Sequence, residues 1–455
     1  MTDLASVWSA LGGDPALLAR VSAVERPGVL PSRLPAREAA RACVGACALA
    51  AAELGARRTG GGAPSVRVDD GAVATAFVSE RHLLVGGRTP ETFAPLSRFW
   101  RTADGWVRTH ANYPHHRARL LAALGVPEDP KAVAAALAER SAREVEEAVY
   151  AAGGLAVALR TPGEWAAHEQ GVRVGKRPLV ERERLDAAPA RVLAPVDRDP
   201  LLPAAGLRVL DLTRVIAGPV ATRTLALLGA DVLRVDAPGL PELADQHADT
   251  GFGKRSALLD LPADRKVFEE LLATADVVVT GYRPGALDRF GLTPAALAGR
   301  RPGVVVAQLS AWGAYGPWGG RRGFDSLVQA ATGIAVVEGG APAGRPGALP
   351  AQALDHGTGY LLAAGVLRAL GEQAQEGGSR VVRVALARTA GWLLEGTAPE
   401  PAGSSGGVAV GRWLAERDSA LGRLRYALPP VTFEGGPRDW ARPPGRWGAD
   451  AARWV

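Results

Sequence analysis

The sequence predicts an α/β fold, with a doubly wound, mostly parallel sheet and a smaller α+β domain beside it. Strand-like apolar runs alternate with amphipathic helical patterns from residue 207 onward, which is typical of a parallel sheet. Residues 207–236 hold a strand, a polar turn, a helix and a second strand, a βαβ unit in its shortest form. Before residue 190, helical patterns surround a hairpin pattern, so this part is expected to supply the smaller domain.

Strands and helices of the second half are expected to follow one another in turn. Gly218 and Pro219 open the first helix and Gly229 follows its end, as is common for proline and glycine at helix boundaries. We expect strands at 207–212, 231–236, 275–280, 303–309 and 380–386. We expect helices at 219–228, 262–273, 284–290, 324–332 and 356–371.

The first half is expected to be mainly helical. The clearest helical patterns cover 39–54 and 132–151, and RFWRTADGWVRTH at 98–110 predicts a hairpin with its turn at 103–105. Residues 181–203 are charged and rich in proline, which is typical of a linker. We therefore expect a helical segment at 1–75, a small α+β domain at 76–185, a linker at 186–205, an α/β domain at 206–395 and an irregular C-terminal segment at 396–455.

Composition and charge exclude several classes of protein. With 455 residues, 47% of them hydrophobic and 22% charged, the chain is expected to form two or three domains of a soluble protein. The net charge of +6 comes without a dense basic run, so nucleic acid is not an expected partner. The longest apolar run, at 42–52, is too short to cross a bilayer. The N-terminus lacks the pattern of a signal peptide, and no membrane partner is expected.

Two cysteines, Cys43 and Cys47, lie four residues apart in a helical pattern. They are expected to be buried thiols, because a metal would need further ligands. The lack of a disulfide framework suits the cytoplasm. His110, His115 and His116 also cluster, but no cysteine or carboxylate nearby in the sequence completes a set of ligands, so no metal is expected.

Three turns that follow predicted strands are candidates for binding. Residues 213–219, TRVIAGP, bring backbone N–H groups and a helix start together, as an anion site requires, but they lack the glycine spacing of a dinucleotide site. After the strand at 275–280, Arg283 and Arg289 could hold phosphates by paired hydrogen bonds. Residues 311–320 mix glycines with aromatic side chains, which suits a loop over a flat ligand. Helix starts and surface packing alone also explain these turns.

Asp355 is the candidate nucleophile. It precedes the helix expected at 356–371 and suits the N-cap of that helix. A helix N-terminus favours the ionised carboxylate, and an ionised aspartate can attack an activated carbonyl carbon. Simple capping is the commoner role for an aspartate in this position. His356 is not expected to pair with Asp355, because adjacent helix positions face different directions.

Taken together and in this order, these segments resemble the family III CoA-transferases, the CaiB/BaiF group that includes formyl-CoA transferases. The motifs are TRVIAGP and LGADV, then GKRS with DL, ADVVV, RPGALDRFGL, SAWGAYGP, RRGFD and the Asp355 helix start, across residues 206–393. The resemblance implies a Rossmann-like CoA-binding domain and a CoA-transferase in which Asp355 forms a mixed anhydride with the acyl group. It also implies that a CoA thioester and a carboxylic acid are the substrates, that no cofactor is tightly bound, and that the protein is a homodimer.

The resemblance further assigns the residues that contact CoA. They are Arg214, Val215 and Ala217 in the first turn, and Leu259, Tyr282, Ala286, Arg289 and Trp312 in later turns. Ala237 departs from the family pattern, in which some relatives carry a basic residue. Relatives shield the intermediate with a glycine-rich loop, for which residues 85–87 and 403–407 are the candidates here.

Two other functions are compatible with the same motifs. The α-methylacyl-CoA racemases of this family need an acid–base pair, and their histidine aligns with Phe324. A phenylalanine cannot move a proton, so racemisation is the weaker hypothesis. The third is a CoA-binding relative without catalysis, against which the intact Asp355 and the intact CoA turns argue.

The first 200 residues resemble the later half of the same family, which predicts an inverted order of segments. The hairpin pattern at 98–110 and Trp165 match the family's small domain. GVLP at 28–31 and GALP at 347–350 each precede a helix, a glycine turn and a strand. Aligning them puts Ala36 opposite Asp355, so residues 1–75 are predicted to hold a degenerate copy of the Asp-bearing segment that has lost its nucleophile.

Overall fold

The computed structural model describes residues 3–340, 344–396 and 408–455. The first half of the chain contains nine helices and seven strands among these residues. They are α1 (Leu4–Ala10), β1 (Val21–Val24), α2 (Ala36–Thr59), β2 (Val66–Asp69), α3 (Asp70–Phe77), α4 (Ser79–His82), β3 (Leu84–Val85), β4 (Phe99–Arg101), β5 (Trp106–Thr109), α5 (Pro114–Leu124), α6 (Pro130–Ala138), α7 (Ala142–Ala151), β6 (Ala156–Ala158), α8 (Pro162–Ala167), α9 (Glu169–Gly175) and β7 (Glu181–Arg184).

The second half alternates strands with helices. Its elements are β8 (Arg208–Leu212), α10 (Ala217–Leu227), β9 (Asp231–Asp236), α11 (Ala244–Thr250), β10 (Arg255–Leu258), α12 (Arg265–Leu272), β11 (Val277–Thr280), α13 (Pro294–Arg300), β12 (Val305–Ser310), α14 (Asp325–Thr332), α15 (Ile334–Gly339), α16 (Ala353–Glu376), β13 (Arg380–Ala385), α17 (Leu386–Leu394), β14 (Leu414–Ser419) and β15 (Gly422–Ala427).

A seven-stranded sheet confirms the doubly wound α/β class. Its order is β10-β9-β8-β11-β12-β13-β7, and every pair is parallel except β13 with β7. Val277 of β11 pairs with Val209 of β8 and Val305 of β12. Val277 and Val278 belong to separate apolar cores, because successive side chains of a strand point to opposite faces. The strand order reverses between β8 and β11, where open sheets of this type bind ligands.

Two long helices, α2 and α16, pack side by side. Each is 24 residues long. They run in the same direction, since Gly357 faces Cys43 near their starts and Arg368 forms an ion pair with Glu53 farther along. Among the described residues, α2 is the one helix with the length and apolar composition of a membrane span, but 94% of that stretch is buried inside the protein. It therefore has the environment of a core helix.

The small domain is built on the antiparallel sheet β4-β5-β6. Trp100 and Val107 from this sheet form a buried core with Leu120 of α5, Val133 of α6 and Val145 of α7. The core fixes α5 against the hairpin, and the first turn of α5 faces the large domain. This placement brings side chains from the first half of the chain to the end of the central sheet.

Two expected helices differ from the prediction. The pattern at 132–151 forms two helices, because Ser141 starts a new one with Glu144 in a capping box. The helix expected at 284–290 is a single 3₁₀ turn at Asp288–Phe290. Gly285 precedes this turn with φ of +80°, a conformation that an α-helix does not contain.

Two segments expected to be irregular contain strands. Part of the charged stretch at 181–203 is the edge strand β7, where Glu183 forms an ion pair with Arg383 at 2.8 Å. Charged side chains are common on edge strands because one side of the strand remains exposed. Within 396–455, β14 and β15 form a hairpin that pairs with β3. Leu424 and Tyr426 of β15 are buried, an alternation that the abundance of glycine and proline nearby obscured.

Candidate active site

A cavity of about 1060 Å³ lies at the carboxyl ends of the central strands. Leu212, Asp236 and Ser310, the last residues of β8, β9 and β12, line it, and so does Gly281, which follows β11. The facing wall comes from the first half of the chain, through Tyr113, His115, His116 and Arg119 at the start of α5. The site is therefore assembled from both halves of the chain.

Asp211 fixes the turn between β8 and α10. Its carboxylate is fully buried and accepts hydrogen bonds from the backbone N–H of Thr213 at 3.0 Å and the hydroxyl of Thr222 at 2.6 Å. Lys254, from the GKRS motif, lies 3.0 Å from the same carboxylate and also donates to the carbonyl of Pro219 at 2.9 Å. Burial lowers the pKa of Lys254 to about 8 although Asp211 opposes this shift. These contacts join the turn to the helix that follows it.

The turn itself is strained at Val215. Its φ of +71° is in the left-handed region, which β-branched residues rarely adopt. The backbone N–H of Val215 donates to the carboxylate of Glu242 at 3.1 Å, and Arg214 donates to the carbonyl of Pro241 at 2.8 Å. The conformation is thus held from the segment that precedes α11.

Asp355 lies in the first turn of α16 and faces the cavity. The structure corrects its expected capping role, because the helix begins at Ala353 and Gln352 is the N-cap residue. Instead, the carboxylate of Asp325 accepts the backbone N–H of Asp355 at 3.0 Å. A backbone N–H in the first turn has no hydrogen-bond partner within its own helix. Asp325, which lies outside α16, provides the acceptor for the N–H of Asp355.

The surroundings of Asp355 oppose its ionisation. Burial raises the pKa of Asp355 well above the usual range, and the negative charges of Asp325 and Glu80 add to this. Burial also raises the pKa of Asp325 to about 6, although the N–H of Asp355 and the amide of Gln329 favour its charged form. Asp325 and Asp355 cannot both ionise freely, because the charge of one buried carboxylate disfavours ionisation of the other.

A close approach at a glycine joins α16, the helix of Asp355, to the turn after β8. A Cβ atom on Gly359 would lie 2.5 Å from the carbonyl oxygen of Ala217 and 3.0 Å from Cβ of Val220. Only glycine permits this approach. Asp355 therefore lies one helical turn from a direct contact with the turn expected to bind CoA.

The facing wall carries several aromatic side chains. Phe324 stacks on His110 with ring centroids 3.7 Å apart. Burial lowers the pKa of His110 well below the usual value, and it lowers that of His116 to about 3, with repulsion from His115 as a further cause for His116. Within the described ranges, no group of three His, Cys, Asp or Glu side chains is arranged to hold a metal.

Arginines supply the positive charge of the cavity. Arg119, Arg283 and Arg322 line it, and none of them forms an ion pair with a carboxylate of the described residues. Burial lowers the pKa of Arg322, and the neighbouring charges of Arg283 and Arg119 lower it further. Guanidinium groups that repel one another without a counterion suit an anionic ligand such as a phosphate.

The structure brings most of the residues predicted to bind CoA together. Seven of them line the cavity with Asp355: Arg214, Val215, Ala217, Leu259, Tyr282, Ala286 and Arg289. Trp312 lies outside the lining. Its indole is buried between Trp165 and Trp318 and donates to the carbonyl of Arg322 at 3.1 Å, so it supports the wall from behind.

Residues 85–87 and residues 403–407 are the two candidates for a shielding loop. Residues 85–87 include the end of β3 and do not line the cavity, and Val85 pairs with Leu424 of the C-terminal hairpin. Residues 403–407 lie outside the described residues.

Several residues of the site were not predicted from the sequence. Tyr113, Arg119, Glu242 and Glu80 reach the site or its immediate surroundings from segments without a binding motif. Arg322 belongs to the RRGFD motif, whose paired arginines after a glycine-rich loop were a usable signal.

Comparisons with known proteins agree with the motifs. The model of CoA-transferase family III matches residues 204–420. A probable fatty acyl-CoA transferase of Mycobacterium tuberculosis is 37% identical over 41% of this chain and 51% of its own length. An acetyl-coenzyme A transferase of Hypoxylon pulicicidum is 36% identical over 51% and 41%. An acyl-CoA transferase of Gibberella moniliformis is 34% identical over 62% and 53%.

The chain spans about half the length of these relatives. The matched region contains Asp355, the turn after β8 and the seven cavity-lining positions that the sequence predicts to contact CoA. Over residues 204–420, the chain is similar to CoA-transferase family III.

Proposed function

We propose that the chain is a CoA-transferase that moves CoA from an acyl-CoA to a carboxylic acid, with Asp355 as the nucleophile. The position of Asp355 carries this proposal. It is a buried carboxylate that faces a cavity at the carboxyl ends of a parallel sheet, and Gly359, one turn later, touches Ala217 in the proposed CoA turn. The nucleophile and the CoA turn are thus set against each other by direct backbone contact.

The reaction begins when the Asp355 carboxylate attacks the carbonyl carbon of the thioester. The carbon–sulfur bond breaks, CoA leaves as the thiolate, and the acyl group stays on Asp355 as a mixed anhydride. The CoA thiolate attacks the Asp355 carbonyl carbon of this anhydride, which releases the donor acid as a carboxylate and leaves a CoA thioester on Asp355. The acceptor carboxylate then displaces the CoA thiolate from this thioester and forms a second anhydride. The thiolate attacks the acceptor's carbonyl carbon in that anhydride, which releases the Asp355 carboxylate. The cycle ends when CoA forms a thioester with the acceptor acid and Asp355 is a free carboxylate again.

The charges of the cavity support a CoA thioester as the substrate. Arg283, Arg289 and Arg322 line it, and CoA carries phosphates that guanidinium groups bind by paired hydrogen bonds. No tightly bound cofactor is required by the proposed chemistry. The α16 N-terminus favours the ionised Asp355, whereas burial and Asp325 disfavour it, so reactivity should depend on pH.

Racemisation remains the weaker alternative. Phe324 occupies the aligned histidine position and is stacked on His110, and a phenylalanine can neither give nor accept a proton. A binding function without catalysis is the other alternative, and it predicts that CoA binds but that no covalent adduct forms on Asp355.

We also propose that the segments are in inverted order, with residues 1–75 as a degenerate copy of the Asp-bearing segment. One similarity supports this. In β1-α2-β2-α3, a 24-residue helix leads to a parallel strand and then directly to another helix, as α16 leads to β13 and α17. Counted from the start of each helix, Glu38 corresponds to Asp355, two residues beyond Ala36. Near the N-terminus of α2, the end that corresponds to the Asp355 end of α16, Arg41 forms an ion pair with Asp70 at 2.7 Å.

A cytoplasmic homodimer completes the proposal. Cys43 and Cys47 are buried free thiols, as proteins of a reducing compartment commonly contain. The dimer follows from the resemblance to the family, and light scattering of the purified protein would measure it.

Intact-mass spectrometry after mixing with a panel of acyl-CoAs tests the function. We expect a covalent adduct on the wild type, with a mass that identifies the acyl group or CoA. Asp355→Asn should abolish both the adduct and CoA transfer, whereas Asp197→Asn, at an exposed carboxylate that does not line the cavity, should keep both. Retained transfer in Asp355→Asn would overturn the assignment, and CoA binding without any adduct on the wild type would favour the binding alternative.

A further inference from the structure

Glu242 is a buried carboxylate at the junction of three elements around the cavity. Its side chain is fully buried. One oxygen accepts from the hydroxyl of Tyr113 at 2.5 Å, and the other accepts from the backbone N–H of Val215 at 3.1 Å and the guanidinium of Arg234 at 3.0 Å. Arg214 lies 3.5 Å away as a second cation. Contacts from α5, the turn after β8 and β9 therefore meet on a single side chain.

Glu242 is permanently charged at working pH. Burial alone would raise its pKa, but Arg234 and Arg214, with the hydrogen bonds from Tyr113 and Val215, lower the pKa to about 2. A group that stays ionised across the physiological range cannot act as an acid or base in the reaction. Its function must therefore come from where it places its partners.

Val215 and Tyr113, the two residues that Glu242 holds in place, both line the cavity. Val215 is held at φ of +71°, a conformation that costs on the order of 1–3 kcal/mol for a residue of this type and needs support from its surroundings. Tyr113 belongs to the facing wall, with its ring 5.0 Å from the guanidinium of Arg214 and 6.2 Å from the ring of Phe324. The carboxylate of Glu242 thus spans the gap between the turn and the facing wall.

We propose that Glu242 is a positioning residue for acyl-CoA binding: it holds the strained turn at Val215 and fixes the distance from that turn to Tyr113 across the cavity. This inference rests on the proposed function, in which the turn contacts CoA. An interaction with CoA that persists from the bound substrate to the transition state changes KM and leaves kcat nearly unchanged. Removal of Glu242 should therefore weaken binding without slowing the chemistry.

Kinetics and CoA affinity of two variants test the role. In Glu242→Gln, the charge that holds the two arginines is lost, and we expect KM for acyl-CoA and Kd for CoA to rise about tenfold or more, as the loss of a buried charged hydrogen bond indicates. In Tyr113→Phe, only the hydroxyl is removed, so the protein should fold, with a smaller rise of the same kind. In both, kcat should stay within about threefold of the wild type.

A matched control separates positioning from stability. Glu53→Gln breaks another buried ion pair, with Arg368, but Glu53 does not line the cavity. We expect it to lower Tm as Glu242→Gln does and to keep KM and Kd. If Glu242→Gln lowers Tm and leaves KM and Kd unchanged, the residue is merely structural and the inference is wrong.

A crystal structure of the Glu242→Gln variant decides the question independently of catalysis. We expect Val215 to leave the left-handed region and the distance between Tyr113 and the turn to change. An unchanged turn would overturn the inference even if CoA binding were weaker. Failure of the wild type to bind CoA would instead remove the proposed function, while the conformation of Val215 in the variant would still test the positioning role.

Discussion

The carboxylate of Asp325 accepts the backbone N–H of Asp355 at 3.0 Å. Asp325 thus completes the hydrogen bonding of the first turn of α16, the helix that presents Asp355 to the cavity. The arrangement satisfies a helix N–H that would otherwise be buried without a partner, but the charge of Asp325 also raises the pKa of Asp355. The geometry of Asp355 and its resistance to ionisation have the same structural source.

Asp325→Asn separates these two effects. The amide oxygen can still accept the N–H of Asp355, but the negative charge is gone. We expect the pKa of Asp355 to fall, because Asp325 is one of the charges that raise it. An aspartate nucleophile reacts when ionised, so activity rises with pH through its pKa, and the acid limb of the kcat/KM profile should move to lower pH. An acid limb that stays in place or moves upward would contradict this.

Glu80→Gln should act in the same direction from the first half of the chain. Glu80, in α4, lies 3.9 Å from Nε2 of His356, and its charge also raises the pKa of Asp355. We expect a smaller shift of the acid limb than in Asp325→Asn, because Asp325 touches Asp355 directly. The exposed Glu139 provides the control, since Glu139→Gln should leave the profile unchanged. A shift in the control of equal size would show that overall charge, and not position, is responsible.

Gly359→Ala should impair the proposed catalysis by separating α16 from the turn after β8, which is proposed to bind CoA. The new Cβ would lie 2.5 Å from the carbonyl oxygen of Ala217, and backbone atoms cannot yield without moving the helix or the turn. Since displacements of about 1 Å at a reacting centre can cost about 100-fold in rate, we expect kcat to fall by one to two orders of magnitude. Gly365→Ala is the control: its Cβ would meet Cγ1 of Val382 at 2.6 Å, far along the same helix, and should lower Tm while kcat is kept.

Lys254→Met should destabilise the large domain. The substitution leaves the fully buried Asp211 without its cation, and removal of one partner of a buried ion pair typically costs about 3–5 kcal/mol. Urea denaturation would measure the free energy of unfolding. Lys266→Met, at an exposed lysine, should change it by less than about 0.5 kcal/mol. Equal stability of the two variants would mean that Lys254 does not compensate Asp211.

The sequence predicts those elements of the fold that are determined by a short stretch of neighbouring residues. The strands from β8 to β13 that were expected are short apolar runs bounded by turns, and most of the positions proposed to contact CoA lie in the turns that follow these strands. By contrast, Tyr113 and Glu242 are 129 residues apart, and their hydrogen bond leaves no periodic pattern in either segment. The edge strand β10 was missed for a related reason, since Arg255–Leu258 is polar at one end and too short to show an alternation.

The candidate site was predicted less completely than the sheet. Arg119 and Glu80 belong to helices whose hydrophobic patterns predict only which face packs against neighbouring elements. These patterns do not predict which cavity the ends of the helices reach. Trp312 shows the opposite case: its motif marked the right loop, but burial between Trp165 and Trp318 turned its side chain away from the cavity. A motif locates a backbone segment more reliably than the direction of a side chain.

The antiparallel edge strand also has a consequence for how the chain folds. Glu181 of β7 pairs with Arg383 of β13, 202 positions later. During synthesis, β7 leaves the ribosome long before its partner strand exists, so it must wait as an unpaired segment. Its sequence is ERER. Four alternating charges disfavour aggregation with other exposed strands while β7 is still unpaired. The edge strand β7 can therefore join the sheet late, after β13 has been synthesised, because its own charges keep it from aggregating until then.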